Sequence, residues 1–175
     1  MNGKLDFRTP ISFGWGASGS MEDLIPREKT ILVLGRNEER NMRFRKMVES
    51  SLLMDVEVIH GVEPNPSEET VVKGAEIISN MNPRQIIALG GGSVIDAAKI
   101  MALIGRFGGN SLDYGMGKLI PPENGLPLYA IPTTPGTSSE ITPFAVVSIK
   151  GVRNKVGIRH PNLYPKGAII DPQLT

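Results

Sequence analysis

Residues Ile86–Ile104, IIALGGGSVIDAAKIMALI, decide the fold. The apolar run Ile86–Leu89 meets three consecutive glycines, Gly90, Gly91 and Gly92, and Ser93 then opens a second, longer apolar segment. Strand, glycine turn and helix is the simplest reading of that order. Glycine tolerates a positive φ and lets a second backbone or a ligand come close. Ser93 suits the N-cap, where its hydroxyl accepts a hydrogen bond from an amide of the first turn. Such a corner presents helix N-terminal amides with no side chain in front of them, which favours a phosphate or pyrophosphate. The same glycines also serve a tight turn that merely packs helix on strand, and the motif alone leaves both readings open.

The chain around this corner has 175 residues, enough for one domain with a sizeable core. Its apolar fraction of 40% and charged fraction of 21% are those of a globular protein. A net charge of +1 gives no electrostatic reason to expect nucleic acid or an anionic membrane as partner. The basic group Arg40, Arg43, Arg45 and Lys46 reads as a solvated helix face. Cysteine is absent, which excludes disulfides, thiolate metal sites and a cysteine nucleophile from these residues. The first residues, MNGKLDFRTPISFG, carry no apolar secretory core, and no stretch is long and uncharged enough to span a bilayer, so a cytoplasmic location is expected.

Upstream of the corner, Phe7 to Gly16 reads as an edge strand interrupted by Pro10, and Ser18–Ile25 as a short capped helix. Thr30–Leu34 is a continuous apolar run, as in a strand covered on both faces. Glu38–Leu53 sets Phe44, Met47, Val48 and Leu52 on one helical stripe. Val56–Val62 is the next strand, punctuated by Pro64-Asn65-Pro66, and Ser67 caps a helix that buries Val71, Ala75 and Ile78. Downstream, Gly105–Pro127 reads as a long surface loop, Leu128–Ile131 as a strand and Pro132–Pro143 as a proline-stiffened loop. Ala145–Ile149 and Lys155–Ile158 flank Lys150-Gly151 as a hairpin, and Ala168–Ile170 is a last short strand. Alternating strands and helices predict an α/β domain with a mainly parallel sheet flanked by helices, and a β-hairpin extension.

In such sheets ligands lie outside the carboxyl ends of the strands, where the glycine corner sits. The first crossover lacks a GxGxxG corner, having only Gly35-Arg36 at the end of its strand. That turn remains free for an adenosine ribose, and Arg36 is either a partner for a 2′-phosphate or an ordinary solvated arginine. A second cluster, Thr133-Thr134-Pro135-Gly136-Thr137-Ser138-Ser139-Glu140, follows another strand and offers hydroxyls and turn amides, though such side chains also satisfy their own backbone. Asp96 and Lys99 are spaced for a surface ion pair, or Asp96 faces the ligand while Lys99 points away. Lys155 offers a cation to a cofactor, or is a plain hairpin lysine. Two histidines, His60 and His160, cannot build a three-imidazole metal site.

Read together, Gly14-Trp-Gly-Ala, Pro64-Asn-Pro, Gly90–Lys99 (GGGSVIDAAK), Ile131–Glu140 (IPTTPGTSSE) and Ile170-Asp-Pro-Gln-Leu-Thr resemble, in content and order, the iron-containing, metal-dependent alcohol dehydrogenases. The resemblance runs from about Phe7 to Thr175. It implies a Rossmann-like NAD(P)-binding domain over residues 1–175, with the family's all-helical, metal-binding domain expected beyond 175 and absent from this chain. It further implies that Gly91, Gly92 and Ser93 hold the pyrophosphate, that Thr133, Thr134 and Thr137 line the cofactor, that Lys155 supports it, and that Asp96 lies towards the nicotinamide. Many NAD-using members carry an aspartate where this sequence has Gly35-Arg36, a departure that favours NADP over NAD. No catalytic or metal-binding residue is expected within the chain, and iron or zinc only with the helical domain.

The implied activity is hydride transfer between NAD(P)(H) and a small alcohol or aldehyde, in a homo-oligomer, with the isolated chain binding cofactor without turnover. Alternatives are a domain of a polyol dehydrogenase or of a dehydroquinate-synthase-like enzyme, a stand-alone nucleotide-binding or regulatory module, and, more remotely, a nucleotide-sugar-binding protein.

Overall fold

The computed structural model describes residues 8–153 and 155–175. Its frame is a six-stranded, wholly parallel sheet in the order β1-β8-β5-β4-β2-β3. The strands are β1 (Ile11–Phe13), β2 (Thr30–Gly35), β3 (Glu57–Val62), β4 (Gln85–Gly90), β5 (Leu128–Pro132) and β8 (Gly167–Ile170). A separate antiparallel pair, β6 (Phe144–Val147) and β7 (Val156–Arg159), forms the expected hairpin. Helices α1 (Glu38–Leu52), α2 (Glu68–Met81) and α3 (Gly92–Phe107) each begin just past the carboxyl end of a sheet strand.

From β2 the chain steps outward through α1 to β3, then returns through α2 to β4 on the other side of β2. The sheet therefore reverses its winding between β2 and β4, and the two carboxyl ends part there into a crevice. Burial on both faces explains the uninterrupted apolar runs: all six residues of β4 and the first five of β2 are buried. Ile31, Val33, Ile86 and Ala88 face α2 and α3, whereas Leu32, Leu34, Ile87 and Leu89 face Phe44, Val48 and Leu52 of α1. Each valine, leucine or isoleucine among them contributes about 1.5–3 kcal/mol by leaving water. α2 and α3 pack so closely that a Cβ on Gly74 would collide with Met101.

Several elements differ from the sequence reading. The edge strand is only Ile11–Phe13, and Phe7, where it was expected to begin, lies outside the described residues. Residues expected as a capped helix form the 3₁₀ segment Ala17–Asp23, entered from a left-handed Gly16 with no side-chain cap. The long loop after α3 contains a short helix, α4 (Ser111–Gly115), capped by Asn110 and burying Ser111 and Tyr114. Its amphipathic pattern is too short to register as a period.

Asp171, at the carboxyl end of β8, fastens the two ends of the described chain together. Its buried carboxylate accepts hydrogen bonds from the amides of Gly16 (3.1 Å), Ser18 (3.1 Å) and Gln173 (3.0 Å), and from the Ser18 hydroxyl (2.6 Å). Burial opposes its ionisation, but these donors outweigh burial and hold it below the usual carboxylate range.

Candidate functional site

Three helices start at the carboxyl edge of the sheet, and only one of them starts without a cap. Asn37 Oδ1 accepts the Arg40 amide at 2.9 Å to close α1, and Ser67 Oγ accepts the Thr70 amide at 3.3 Å to close α2. α3 begins after Gly91, which has no side chain to offer. Ser93, expected as the cap, lies inside the helix, and its hydroxyl oxygen accepts the Asn65 amide at 3.2 Å instead. The Val94 amide turns back to Gly91 O at 2.9 Å, and among the described residues the amides of Gly92 and Ser93, like those of Glu38 and Glu39 in α1, meet no acceptor. Two oriented donors and the positive end of the helix dipole thus face the crevice.

The glycines themselves do a different job from the one expected. None of Gly90, Gly91 or Gly92 has a positive φ. What they permit is close approach. A Cβ on Gly90 would come within 2.7 Å of Val94 Cγ2, one on Gly91 within 3.2 Å of Thr134 Oγ1, and one on Gly92 within 2.7 Å of Thr137 Cγ2. The loop after β5 therefore leans directly on the start of α3, bringing Thr134 and Thr137 to the glycine corner. Thr133 is buried behind it, donating its amide to Gly90 O at 2.9 Å.

A cleft of about 420 Å³ opens in front of this corner, lined by Gly92, Ser93, Asp96, Thr137 and Lys155 among the expected residues. Asn65, Ser139, Thr142, Phe144, Val146 and Ser148 complete its walls with Pro66. Asp96 Oδ2 accepts the Val146 amide at 3.1 Å, while its Oδ1 is buried with no partner among the described residues. Burial pushes this carboxyl above the usual range, against the pull of the Ser139 hydroxyl, Lys99 and the Val146 amide.

Of the two readings of Asp96 and Lys99, the surface ion pair is not formed: among the described residues no Asp96–Lys99 salt bridge is present, and Asp96 lines the cleft. Lys99 is 1% exposed, and its ammonium donates to the carbonyls of Thr142 (2.7 Å) and Phe144 (3.0 Å). The sequence did carry a signal for this: Lys99 stands inside the run Ala97–Ile104, which is otherwise apolar and wholly buried, so the lysine is covered with it. Asn65 was also missed. It sits between two prolines in the left-handed region, at φ 56°, and links two parts of the cleft. Its amide holds Ser93 Oγ, and its side-chain oxygen accepts from the Lys155 ammonium.

Gly35 is the last residue of β2, and Arg36 follows it at the carboxyl edge of the sheet. Gly35 lies beside α3: a Cβ there would meet Val94 Cγ2 at 3.6 Å. The Arg36 side chain is 65% exposed and stands 3.7 Å from the carboxylate of Glu63. A carboxylate thus does stand near this turn, supplied from the end of β3 rather than β2. Burial disfavours the charge on Glu63, yet hydrogen bonds from Ser67 and Thr70 outweigh it and lower the carboxyl to about 2.

A larger cavity, of about 580 Å³, lies at the amino edge of the sheet between Arg8, Asn124, Asn162, Tyr164 and Lys166. No helix of the sheet layers begins there, so size alone is a poor guide to the site in this fold. Among the described residues, no cluster of three or more histidine or acidic side chains is arranged to hold a metal ion.

A parallel sheet of order 2-1-3-4-5, counted from β2 to β8 and extended by β1, with helices following its strands, defines a doubly wound, Rossmann-like α/β domain. The comparison with known proteins is narrower. The family model of iron-containing alcohol dehydrogenases matches residues 9–172, and the chain belongs to that family. It is similar to an NADPH-dependent butanol dehydrogenase of Clostridium saccharobutylicum, 37% identical over 175 residues, which cover 96% of this chain and 45% of that protein. Among solved structures it resembles NADH-dependent butanol dehydrogenase A of Thermotoga maritima, with a TM-score of 0.85 and 28% identity over 99% of this chain and 45% of that one. It also resembles sulfoacetaldehyde reductase of Bifidobacterium kashiwanohense in complex with NAD+, with a TM-score of 0.87 and 29% identity, covering 100% of this chain and 47% of that one. The chain spans a little under half the length of these relatives.

Proposed function

We propose that this chain is the nucleotide-binding domain of a metal-dependent alcohol dehydrogenase or aldehyde reductase and that its cleft takes NADP or NAD. The observation that carries this reading is the start of α3 without a side-chain cap, where Gly92 and Ser93 line a cleft shared with Asp96, Thr137 and Lys155. Gly91, Gly92 and Ser93 would hold the pyrophosphate through amides and hydroxyl. Thr133, Thr134 and Thr137 would back that contact, Lys155 would balance its charge, and Asp96 would accept from the nicotinamide end. A bound nicotinamide dinucleotide supplies hydride to an aldehyde or takes it from an alcohol.

Residues 1–175 are read as one NAD(P)-binding domain, with iron or zinc held by a helical domain beyond it. The chain alone would therefore bind cofactor without turnover. The small +1 net charge supports a small-molecule substrate over nucleic acid or a membrane surface. We place the protein in the cytoplasm as a homo-oligomer; no helix of the described residues is long and apolar enough to cross a membrane.

Arg36 favours NADP, because an exposed guanidinium at the end of β2 matches a 2′-phosphate. Glu63 works against this preference by occupying part of that charge. Calorimetric titration with NADPH and NADH, repeated on Arg36→Asp, tests both points. Tighter NADPH binding that reverses in the variant supports the reading. Equal binding of the two removes the role of Arg36, and binding of neither removes the cofactor assignment.

A further inference from the structure

Lys99 is a buried cation that the site described above leaves without a task. Burying an ammonium is costly unless it is paired and hydrogen-bonded, and an apolar side chain of similar volume would fit an otherwise apolar helix. The structure shows what Lys99 touches. Two of its three donors go to Thr142 O and Phe144 O, on the segment that forms one wall of the cleft. One turn earlier on α3, Asp96 takes the amide of Val146, two residues further along that wall. The two side chains therefore grip one segment, Thr142–Val146, from one helix, Lys99 by its carbonyls and Asp96 by an N–H.

We propose that Lys99 is a positioning residue of the cofactor cleft: its ammonium holds the Thr142–Phe144 wall on α3 and offsets the Asp96 carboxylate, so that an anionic dinucleotide meets no uncompensated negative charge there. The proposal rests on the dinucleotide reading of the cleft. The ionised groups that act on Lys99 are Asp96, from its own helix, and Glu140, from the 3₁₀ turn Ser139–Ile141; Lys155 lines the same cleft. Burial lowers the Lys99 ammonium to about 8, against the pull of Asp96 and Glu140. A neutral amine keeps two donors for the two carbonyls, so loss of the proton removes the charge and leaves the wall in place. Dinucleotide affinity then falls as pH rises through about 8, without unfolding.

The test is calorimetric titration of the whole chain with NADPH between about pH 6.5 and about 9.5, a range that brackets a lysine shifted by burial. The wild type is expected to lose about tenfold in affinity across the step, the scale of one charge-assisted contact. Lys99→Met is expected to bind about tenfold more weakly at the lower pH and to show no step. Because the chain has no cysteine of its own, Lys99→Cys can be aminoethylated at a single site in urea and refolded. That treatment returns an amine in place of Lys99 Nζ, made less basic by the neighbouring sulfur. Affinity should recover, with its step moved to lower pH, which a merely space-filling role would not produce.

Wild-type affinity and an unchanged step in Lys99→Met would overturn the proposal. Should that variant fail to fold, a flat profile for the folded wild type would overturn it as well. NADPH binding to the wild type with Lys99→Met indistinguishable from it removes only the role of Lys99. No binding to the wild type removes the dinucleotide reading together with it.

Discussion

The starts of α1 and α2 differ from the start of α3, although all three follow the carboxyl end of a parallel strand. Asn37 and Ser67 close the first two with their own side chains, as helix termini away from a ligand ordinarily do. α3 leaves that position to Gly91 and turns its one nearby hydroxyl, on Ser93, towards Asn65. Stability alone would favour a side-chain cap at all three. The exception stands at the switch point of the sheet, in front of a cleft, and in a member of a family with NADPH- and NADH-dependent relatives. The Val94 amide, at the position that Asn37 and Ser67 serve in their own helices, turns back to Gly91 O, so no side chain stands between the first amides of α3 and the cleft.

The strongest way to break this comparison is to give α3 the cap that the others have. Gly91 has φ −73° and ψ 176°, a conformation open to any residue, and its added Cβ would sit 3.2 Å from Thr134 Oγ1. Gly91→Asp is expected to stabilise the empty chain by about 0.5 kcal/mol while weakening NADPH binding about 100-fold, by filling the donors and repelling the pyrophosphate. Thermal melts and calorimetry should thus move in opposite directions.

Gly92→Ala comes next. Its Cβ would approach Thr137 Oγ1 to 2.8 Å, forcing the loop away from the corner, and should cost about 1–2 kcal/mol of stability and about tenfold in affinity. Ser67→Ala is the control on the capped side. It should cost about 1 kcal/mol in urea melts and leave NADPH affinity within about twofold.

The smallest effects are those of pH on the empty chain. Glu63 titrates at about 2 when folded and at 4.5 ordinarily, so its contribution is complete above about 4.5 and is lost as pH falls towards 2. Asp171, also lowered, acts in the same direction. Lys99 gives the same slope for a different reason, because here burial disfavours the charged form: its folded value of about 8 lies below the ordinary 10.5, so stability should again rise as pH increases between them. Urea midpoints across this range check both limbs. A fall in midpoint between pH 8 and 10.5 would contradict the burial of a charged Lys99.

The parallel sheet and the three long helices were legible because burial on two faces writes continuous apolar runs, and burial on one writes a helical stripe. Ser67 was legible as a cap because its oxygen serves its own helix. What was not legible depended on contacts between distant segments. Ser93 has the chemistry of a cap, yet an amide from the Pro64–Pro66 turn reaches it. Lys99 has the spacing of a surface partner for Asp96, yet the wall after β5 covers it. The carboxylate near Arg36 comes from the next strand in the sheet, which a reading along the chain passes over. The glycine corner was found for its ligand chemistry, whereas its sequence is set as much by the approach of Val94, Thr134 and Thr137.

The most direct measurement is a titration of the isotope-labelled chain with NADPH, followed amide by amide in nitrogen–proton correlation spectra. The amide resonances of Gly92 and Ser93 should move saturably and by more than those of Glu38 and Glu39 or Glu68 and Glu69, in the first turns of the capped helices. Movement centred on Arg8, Asn162 and Lys166 at the amino-edge cavity, with Gly92 and Ser93 unmoved, would contradict it.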